Sequence, residues 1–444
     1  MLVPKSTITY NLGVFQSGQF RRLSKEGSWI VLGQAMAVLG SLVCVRVLTG
    51  LLTTVEYGEL ALGMTLATLV GQTLLGPLGQ GATRFYAPAV EKSALNVYLN
   101  VVRRLVFSAT GIVFLIVLFT SAGLLLIGRI EWVGIAIASF IFAILAGHND
   151  ILNGIQNAAR QRSVVALHRG AESWTRFLAA AGLIFLLGAS STVAILGYGL
   201  SMVFVLFSQY IFFRPIIASA GDDDLTEPTY FSQWQERILA YSWPFVSWGI
   251  FTWAQQASDR WALALLDSTQ EVGLYAVLFQ LGYYPISILT GIFLQLVSPI
   301  LFERIGDATD VKRVIQVSRI NNMLAGFTLG LTLVAFLLVF VLHHLVFEIF
   351  VARQYASVSY MLPWIVLSGG IFASAQVMSL GLMNKLNTRG LIAPKIITAI
   401  IAVLLNFTGA YLWGVKGVVA GGLSFSATFW IWMFIQSRRT NVKF

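Results

Sequence analysis

Cysteine is nearly missing from this sequence: Cys44 is the only one among 444 residues. A lone thiol excludes an intramolecular disulfide and a cysteine-cluster metal site. Its place in an apolar run makes it a small packing residue. Charge is scarce too. Asp, Glu, Lys and Arg make up 11% of the chain, against about 25% in a soluble protein, so an ordinary solvated surface is not available. No G-x-x-x-x-G-K-[ST] sequence occurs, which excludes a P-loop for ATP hydrolysis. The only metal-like spacing, His343-His344 with Glu348, has no further partner and reads as an interfacial polar turn. No spacing of acids and histidines assembles a nucleophile, so neither an enzyme nor a cofactor or metal site is expected.

What the chain has in quantity is apolar surface: 57% hydrophobic residues and a mean hydropathy of +0.79. About 20 apolar residues cross a bilayer as a helix. Runs of that length are predicted at 28–48, 58–80, 104–127, 132–153, 172–190, 192–213, 238–258, 273–298, 320–342, 358–381, 391–412 and 415–435. The fold class expected is therefore an all-α polytopic membrane protein with twelve transmembrane helices. Forty glycines suit close helix packing in lipid, and twelve Trp and fourteen Tyr suffice for interfacial belts. Residues 1–27 are polar, with R-R-L-S-K-E ahead of Trp29. They lack a signal peptide's apolar core and cleavage pattern, so the first span should stay as an anchor.

The net charge of +10 would suit nucleic acid, but its distribution argues otherwise. With the N-terminus inside, all but six of the 29 Lys and Arg are cytoplasmic. Arg46, Arg129, Arg260, Arg353 and Lys416 lie outside or at outer helix ends, and Arg176 lies within the fifth span. This is the positive-inside bias of a protein with both termini in the cytoplasm. The expected layout is a cytoplasmic segment 1–27, a first lobe 28–213, a linker 214–237, a second lobe 238–435 and a cytoplasmic tail 436–444.

The lobes carry a repeat. R-V-L-T-G-L-L-T-T-V-E-Y-G-E-L-A runs from Arg46, and R-W-A-L-A-L-L-D-S-T-Q-E-V-G-L-Y-A runs from Arg260. F-Y-A-P-A-V-E around Pro88 matches L-V-S-P-I-L-F-E around Pro299 more weakly, and all these offsets fall between 211 and 215 residues. Six spans per half is an even number, so the halves should be parallel, related by an axis along the membrane normal and meeting at a central cleft. Asp259-Arg260 is expected at the outer end of the seventh span, within reach of interfacial water. Glu56 and Glu271 face the positive ends of the following helices, and Gly58 and Gly273 relieve crowding there. These residues either shape and anchor the bend or take part in gating.

With these motifs in order, the chain resembles the polysaccharide-biosynthesis flippases of the multidrug/oligosaccharidyl-lipid/polysaccharide exporter superfamily. The resemblance rests on L-V-C-V-R-V-L-T-G-L-L-T-T-V-E-Y-G at Leu42–Gly58, Y-S-W-P at Tyr241–Pro244, S-D-R-W at Ser258–Trp261 and E-V-G-L-Y-A at Glu271–Ala276. It implies alternating access between two lobes and transfer of a polyprenyl-pyrophosphate-linked glycan to the periplasmic leaflet of the bacterial inner membrane. Membrane lipids, a polysaccharide polymerase and assembly proteins would be its partners, and nucleic acid would not.

A pyrophosphate needs multidentate cationic donors, which guanidinium supplies. Arg84 follows a Gly/Pro-broken helix end, Arg176 is the deepest by span position, and Arg46 and Arg260 sit in the repeat. Arg176 reads near the cytoplasmic start of its span, where it could also snorkel. For the glycan, Gln34, Gln72, Trp248, Gln255 and Asn406 supply amides and an aromatic face. Interhelical hydrogen bonding is the alternative for Gln34, Gln72 and Asn406. Gln255 and Gln256 point in different directions, so one of them at most should face the cleft squarely. The competing function is a cation-coupled multidrug exporter of the same superfamily. That would favour a membrane-embedded carboxylate; the first span has none, and Asp259 is the nearest equivalent.

Overall fold

The computed structural model describes residues 17–220, 228–305, 310–384 and 389–441. The expected N-terminal segment, linker and C-terminal tail lie partly outside them. The described residues are helical almost throughout: α1 (Ser17–Leu51), α2 (Thr54–Val70), α3 (Gly76–Glu91), α4 (Leu95–Leu126), α5 (Ile130–Ala158), α6 (Arg162–Leu187), α7 (Ser191–Ala218), α8 (Pro228–Leu266), α9 (Thr269–Leu278), α10 (Tyr284–Ile305), α11 (Val311–Phe350), α12 (Leu362–Asn384) and α13 (Arg389–Asn441). A π-helical turn, Gly71–Leu75, joins α2 to α3, and another, Phe279–Tyr283, joins α9 to α10.

Nine segments among the described residues are long and apolar enough to cross a membrane. They leave out α6 and α8, which are long but carry Arg169, Glu172 and Arg176, and Asp259 and Arg260. The ninth, in α13, is a helical hairpin. It breaks at Trp413 and Gly414, where φ is +57° at the glycine and the Asp267 carboxylate would meet any added Cβ at 2.5 Å. Only glycine suits that position. Phe107, Phe114 and Phe119 on α4 and Phe327, Leu331 and Val341 on α11 are exposed, as lipid-facing residues must be, because apolar surface gains nothing from burial in hydrocarbon.

Helix α1 packs on α6, α6 on α7, and α7 and α3 on α5, while α11 packs on α12, α12 on α13 and α13 on α8. The two groups meet chiefly where α2 crosses α9 and where α3 and its preceding π turn lie on α8. At the first crossing the repeat motifs touch each other. A Cβ on Gly58 would stand 2.0 Å from the Thr269 carbonyl oxygen, and one on Gly273 would stand 2.0 Å from that of Thr54. The backbones approach so closely that only glycine fits on either side.

The caps of these helices repeat as well. The Thr53 hydroxyl accepts from the Glu56 N–H while Glu56 accepts from the Thr53 N–H at 2.8 Å, a complete capping box. The Ser268 hydroxyl accepts from the Glu271 N–H at 3.3 Å. Glu56 and Glu271 thus sit in the first turn, facing the positive helix end, as the sequence leads one to expect.

Candidate functional site

Between the two helix groups lies a cavity of about 500 Å³. Its walls come from equivalent stretches of the two halves. Leu60, Ala61, Met64, Thr65 and Thr68 on α2 face Tyr275, Ala276, Phe279, Gln280 and Tyr283 on α9 and its π turn. Each of the second set is the first plus 215 residues. The same offset takes Ser41 to Gln256 and Cys44 to Asp259, also in the wall.

That register corrects the pairing of Arg46 with Arg260, which are 214 apart. One residue turns a helix by about 100°, so the two arginines face different surroundings. Arg46 is exposed on α1 and donates to the Val351 carbonyl oxygen. Arg260 lines the cavity with its side chain 14% exposed. Arg46 instead belongs to a strap at the α2/α9 end of the molecule. There Gln354 donates to the carbonyl oxygens of Thr49 and Leu52 at 3.0 and 2.8 Å, and the Ala352 N–H donates to the Thr49 hydroxyl at 3.2 Å.

Asp259 and Arg260 are not at a helix end in interfacial water. The apolar W-A-L-A-L-L that follows Arg260 keeps α8 helical to Leu266, and Asp259 is 5% exposed. Its carboxylate accepts from the Tyr275 hydroxyl at 2.8 Å and from the Arg260 N–H at 2.7 Å. The Arg260 guanidinium donates to the Gln256 carbonyl oxygen at 3.0 Å, lies 3.6 Å from Asp259 and stacks 4.4 Å above the Phe279 ring. Buried charge is tolerated in such company because pairing and hydrogen bonds offset the lost hydration.

Arg176 faces the same cavity. Helix α6 starts at Arg162, ten residues before the expected span, because R-S-V-V-A-L-H-R-G-A is helical although too polar to read as membrane-crossing. Arg176 is therefore in mid-helix, about 20 Å from the α6 start at about 1.5 Å per residue. Snorkelling is not its situation. It pairs with Glu172 one turn earlier and lies 5.3 and 5.5 Å from the Phe142 and Tyr198 ring centroids. Glu172 in turn accepts from the Asn149 amide at 3.3 Å, and Gln209 donates to Asn149 and Asn153 at 3.0 and 2.7 Å. The Arg176 Nε is buried with no hydrogen-bond partner, a donor left over for a ligand.

Of the other expected site residues, Gln255 and Asn406 line the cavity. Asn406 donates to the Ser258 hydroxyl at 2.9 Å, joining α13 to α8. Gln256 lines it together with Gln255, contrary to the expectation that one at most would, and accepts from Gln72 at 3.0 Å. Gln72 thus reaches the site through Gln256. Trp248 is outside the lining, its ring 3.7 Å from the Lys395 ammonium. Gln34 is half-buried on α1 and Arg84 is exposed on α3, both outside the lining. Glu56, Gly58, Glu271 and Gly273 are grouped at the α2/α9 crossing.

The sequence reading overlooked Glu172, although its spacing four residues before Arg176 is the signal for a helical ion pair. It also overlooked the wall of Tyr57, Tyr198, Tyr275 and Tyr283. The 215-residue register, applied along α1 and α2, would have pointed to Tyr275 and Tyr283.

No curated protein matches the chain at the sequence level. Among solved structures, the lipid II flippase MurJ in an inward closed conformation aligns with a TM-score of 0.66 at 13% identity, over 94% of this chain and 87% of that one. An inward-facing multidrug resistance MATE family transporter of the MOP superfamily aligns at 0.67 and 14% identity, over 93% and 96%. A point mutant of the Vibrio cholerae MATE transporter VcmN aligns at 0.61 and 14% identity, over 95% and 96%. At such identities the likeness is one of fold, shared by flippases and multidrug exporters alike. The family model "Polysaccharide biosynthesis protein" matches residues 23–304, well over half of the chain, and the chain belongs to that family.

Proposed function

We propose that the protein carries a polyprenyl-pyrophosphate-linked oligosaccharide from the cytoplasmic to the periplasmic leaflet by alternating access. The observation that carries this reading is one membrane-embedded cavity in which Arg176 and Arg260 meet amides, hydroxyls and aromatic faces. Two guanidiniums in a low-dielectric site suit a pyrophosphate, with forked donors that water does not compete for. Tyrosines, glutamines and asparagine suit sugar hydroxyls. The lipid tail needs no site inside the cavity if it stays in the bilayer beside it.

The nine apolar segments become twelve spans when α6 and α8 are added and the α13 hairpin is counted twice. Twelve spans form two parallel six-helix lobes, α1–α7 and α8–α13, with both termini cytoplasmic. The α2/α9 crossing and the 351–355 strap then close the periplasmic end, and the conformation described is closed to the outside. A cycle must part Gly58 from Gly273 and release Gln354 from α1.

A second reading, a multidrug exporter, is favoured by the MATE structures, which share the fold as fully as the flippase does. The carboxylates Asp259 and Glu172 are as deeply placed as that function would want. Deleting the gene separates the two readings. A flippase leaves the assembled lipid-linked repeat on the cytoplasmic leaflet and depletes surface polysaccharide. Normal surface polysaccharide together with lost efflux of cationic drugs would favour the exporter.

A further inference from the structure

The two guanidiniums in the cavity are each neutralised by a carboxylate of their own helix, Arg176 by Glu172 and Arg260 by Asp259. Lys395 differs. No carboxylate among the described residues pairs with it, and its half-buried ammonium rests 3.7 Å from the centroid of the Trp248 ring.

The position of this pair follows from helix geometry. On α8, Trp248 precedes the cavity residues Gln255 and Asp259 by seven and eleven positions. On α13, Lys395 precedes the cavity residues Ala402 and Asn406 by the same seven and eleven. Seven residues are two turns, so both side chains share a face with the cavity lining of their own helix, about 10 Å further along the axis. The Asn406–Ser258 hydrogen bond ties the two helices together at cavity depth. The direction is away from the α2/α9 crossing, because α8 runs toward the start of α9 and reaches Asp259 only after Trp248. Lys395 on Trp248 therefore stands where α8 and α13 pack together, on the side of the cavity away from the α2/α9 crossing.

We propose that Lys395, cradled by Trp248, is a first station for an anionic head group, binding the pyrophosphate of a lipid-linked sugar before it reaches Arg176 and Arg260. This rests on the transport reading above. A ring face holds an ammonium without cancelling its charge, whereas a carboxylate partner cancels it. Lys395 thus offers the positive charge that the paired arginines do not. Its flexible stem carries a point charge that follows a moving phosphate, where a fork would fix it in one orientation.

The test measures binding of sugar-free polyprenyl pyrophosphate to the full-length protein in nanodiscs, with uncharged polyprenol and phosphatidylglycerol as comparators. Wild type is expected to hold the pyrophosphate at least tenfold more tightly than the polyprenol, and phosphatidylglycerol should not displace it. Lys395→Gln should weaken the pyrophosphate about tenfold, the scale of one charge-assisted contact. Lys395→Arg should keep most of the affinity, and Lys416→Gln, on the far arm of the α13 hairpin, all of it. If Lys395→Gln does not fold, Lys395→Met keeps the apolar stem and serves in its place. Wild-type affinity in the neutral variants overturns the station and leaves the transport reading intact. Displacement by phosphatidylglycerol overturns it in favour of a general anionic-lipid contact. No preference of wild type for pyrophosphate over polyprenol overturns the transport reading, and the station with it.

Discussion

Replacing Gly273 by alanine perturbs the α2/α9 crossing and little else. The added Cβ would sit 2.0 Å from the Thr54 carbonyl oxygen and 3.1 Å from the Gly58 nitrogen. A weak C–H···O contact needs about 3.3 Å, so the helices must part by roughly 1.3 Å. Overpacking of this kind costs about 1–3 kcal/mol. If that contact exists only while the outer end is closed, the whole cost falls on the closed state. The open population then rises by roughly 5- to 150-fold. The assay is the rate at which a membrane-impermeant maleimide labels Gln280→Cys, in the cavity wall, from outside intact cells in a Cys44→Ala background. Gly326→Ala is the control, because a Cβ there meets nothing within 4 Å. Equal labelling of the two alanine variants would refute the crossing as an outer seal.

Releasing the strap should act in the same direction: Gln354→Ala, which loses both contacts to the end of α1, is expected to raise labelling of the same cysteine. At equal membrane abundance, Arg260→Lys should cut transport at least tenfold because a point charge replaces the fork and its stack on Phe279. Lys416→Ala should transport like wild type, and equal rates for it and Arg260→Ala would remove Arg260 from the site. Glu172→Gln leaves the half-buried Arg176 charge, its side chain 27% exposed, without its partner, at a cost below the about 3–5 kcal/mol of a fully buried pair, seen as a lower melting temperature. Adding Arg176→Met should restore the melting temperature but not transport; restored transport would show Arg176 to be structural.

The helical membrane class was legible because bilayer thickness imposes a length on apolar runs, and α4, α5 and α11 show it without interruption. The helix starts at Glu56 and Glu271 were legible because capping is local chemistry. Depth was not. Arg176, the deepest arginine by span position, still read as near enough to its span's start to snorkel because the first ten residues of α6 are polar enough to mimic a loop, and Asp259 read as interfacial because hydropathy falls where a site is built. The register of the repeat was nearly legible. Matching arginine to arginine gave 214, whereas the glycine crossing, the caps and the cavity walls all keep 215. What no spacing announced was Lys395 over Trp248, a contact between residues 147 positions apart that exists only once α13 lies on α8.

The central claim is that the cavity serves a pyrophosphate-linked glycan, and reconstitution tests it most directly. Purified protein in proteoliposomes would be given a fluorescent polyprenyl-pyrophosphate oligosaccharide in one leaflet. Its appearance in the other leaflet would be followed by quenching, with a cationic dye as the competing cargo and ion gradients varied. The account predicts protein-dependent transfer of the glycolipid that Arg176→Gln abolishes, with no transport of the dye. Gradient-driven dye transport without glycolipid transfer would contradict it and make the protein a multidrug exporter.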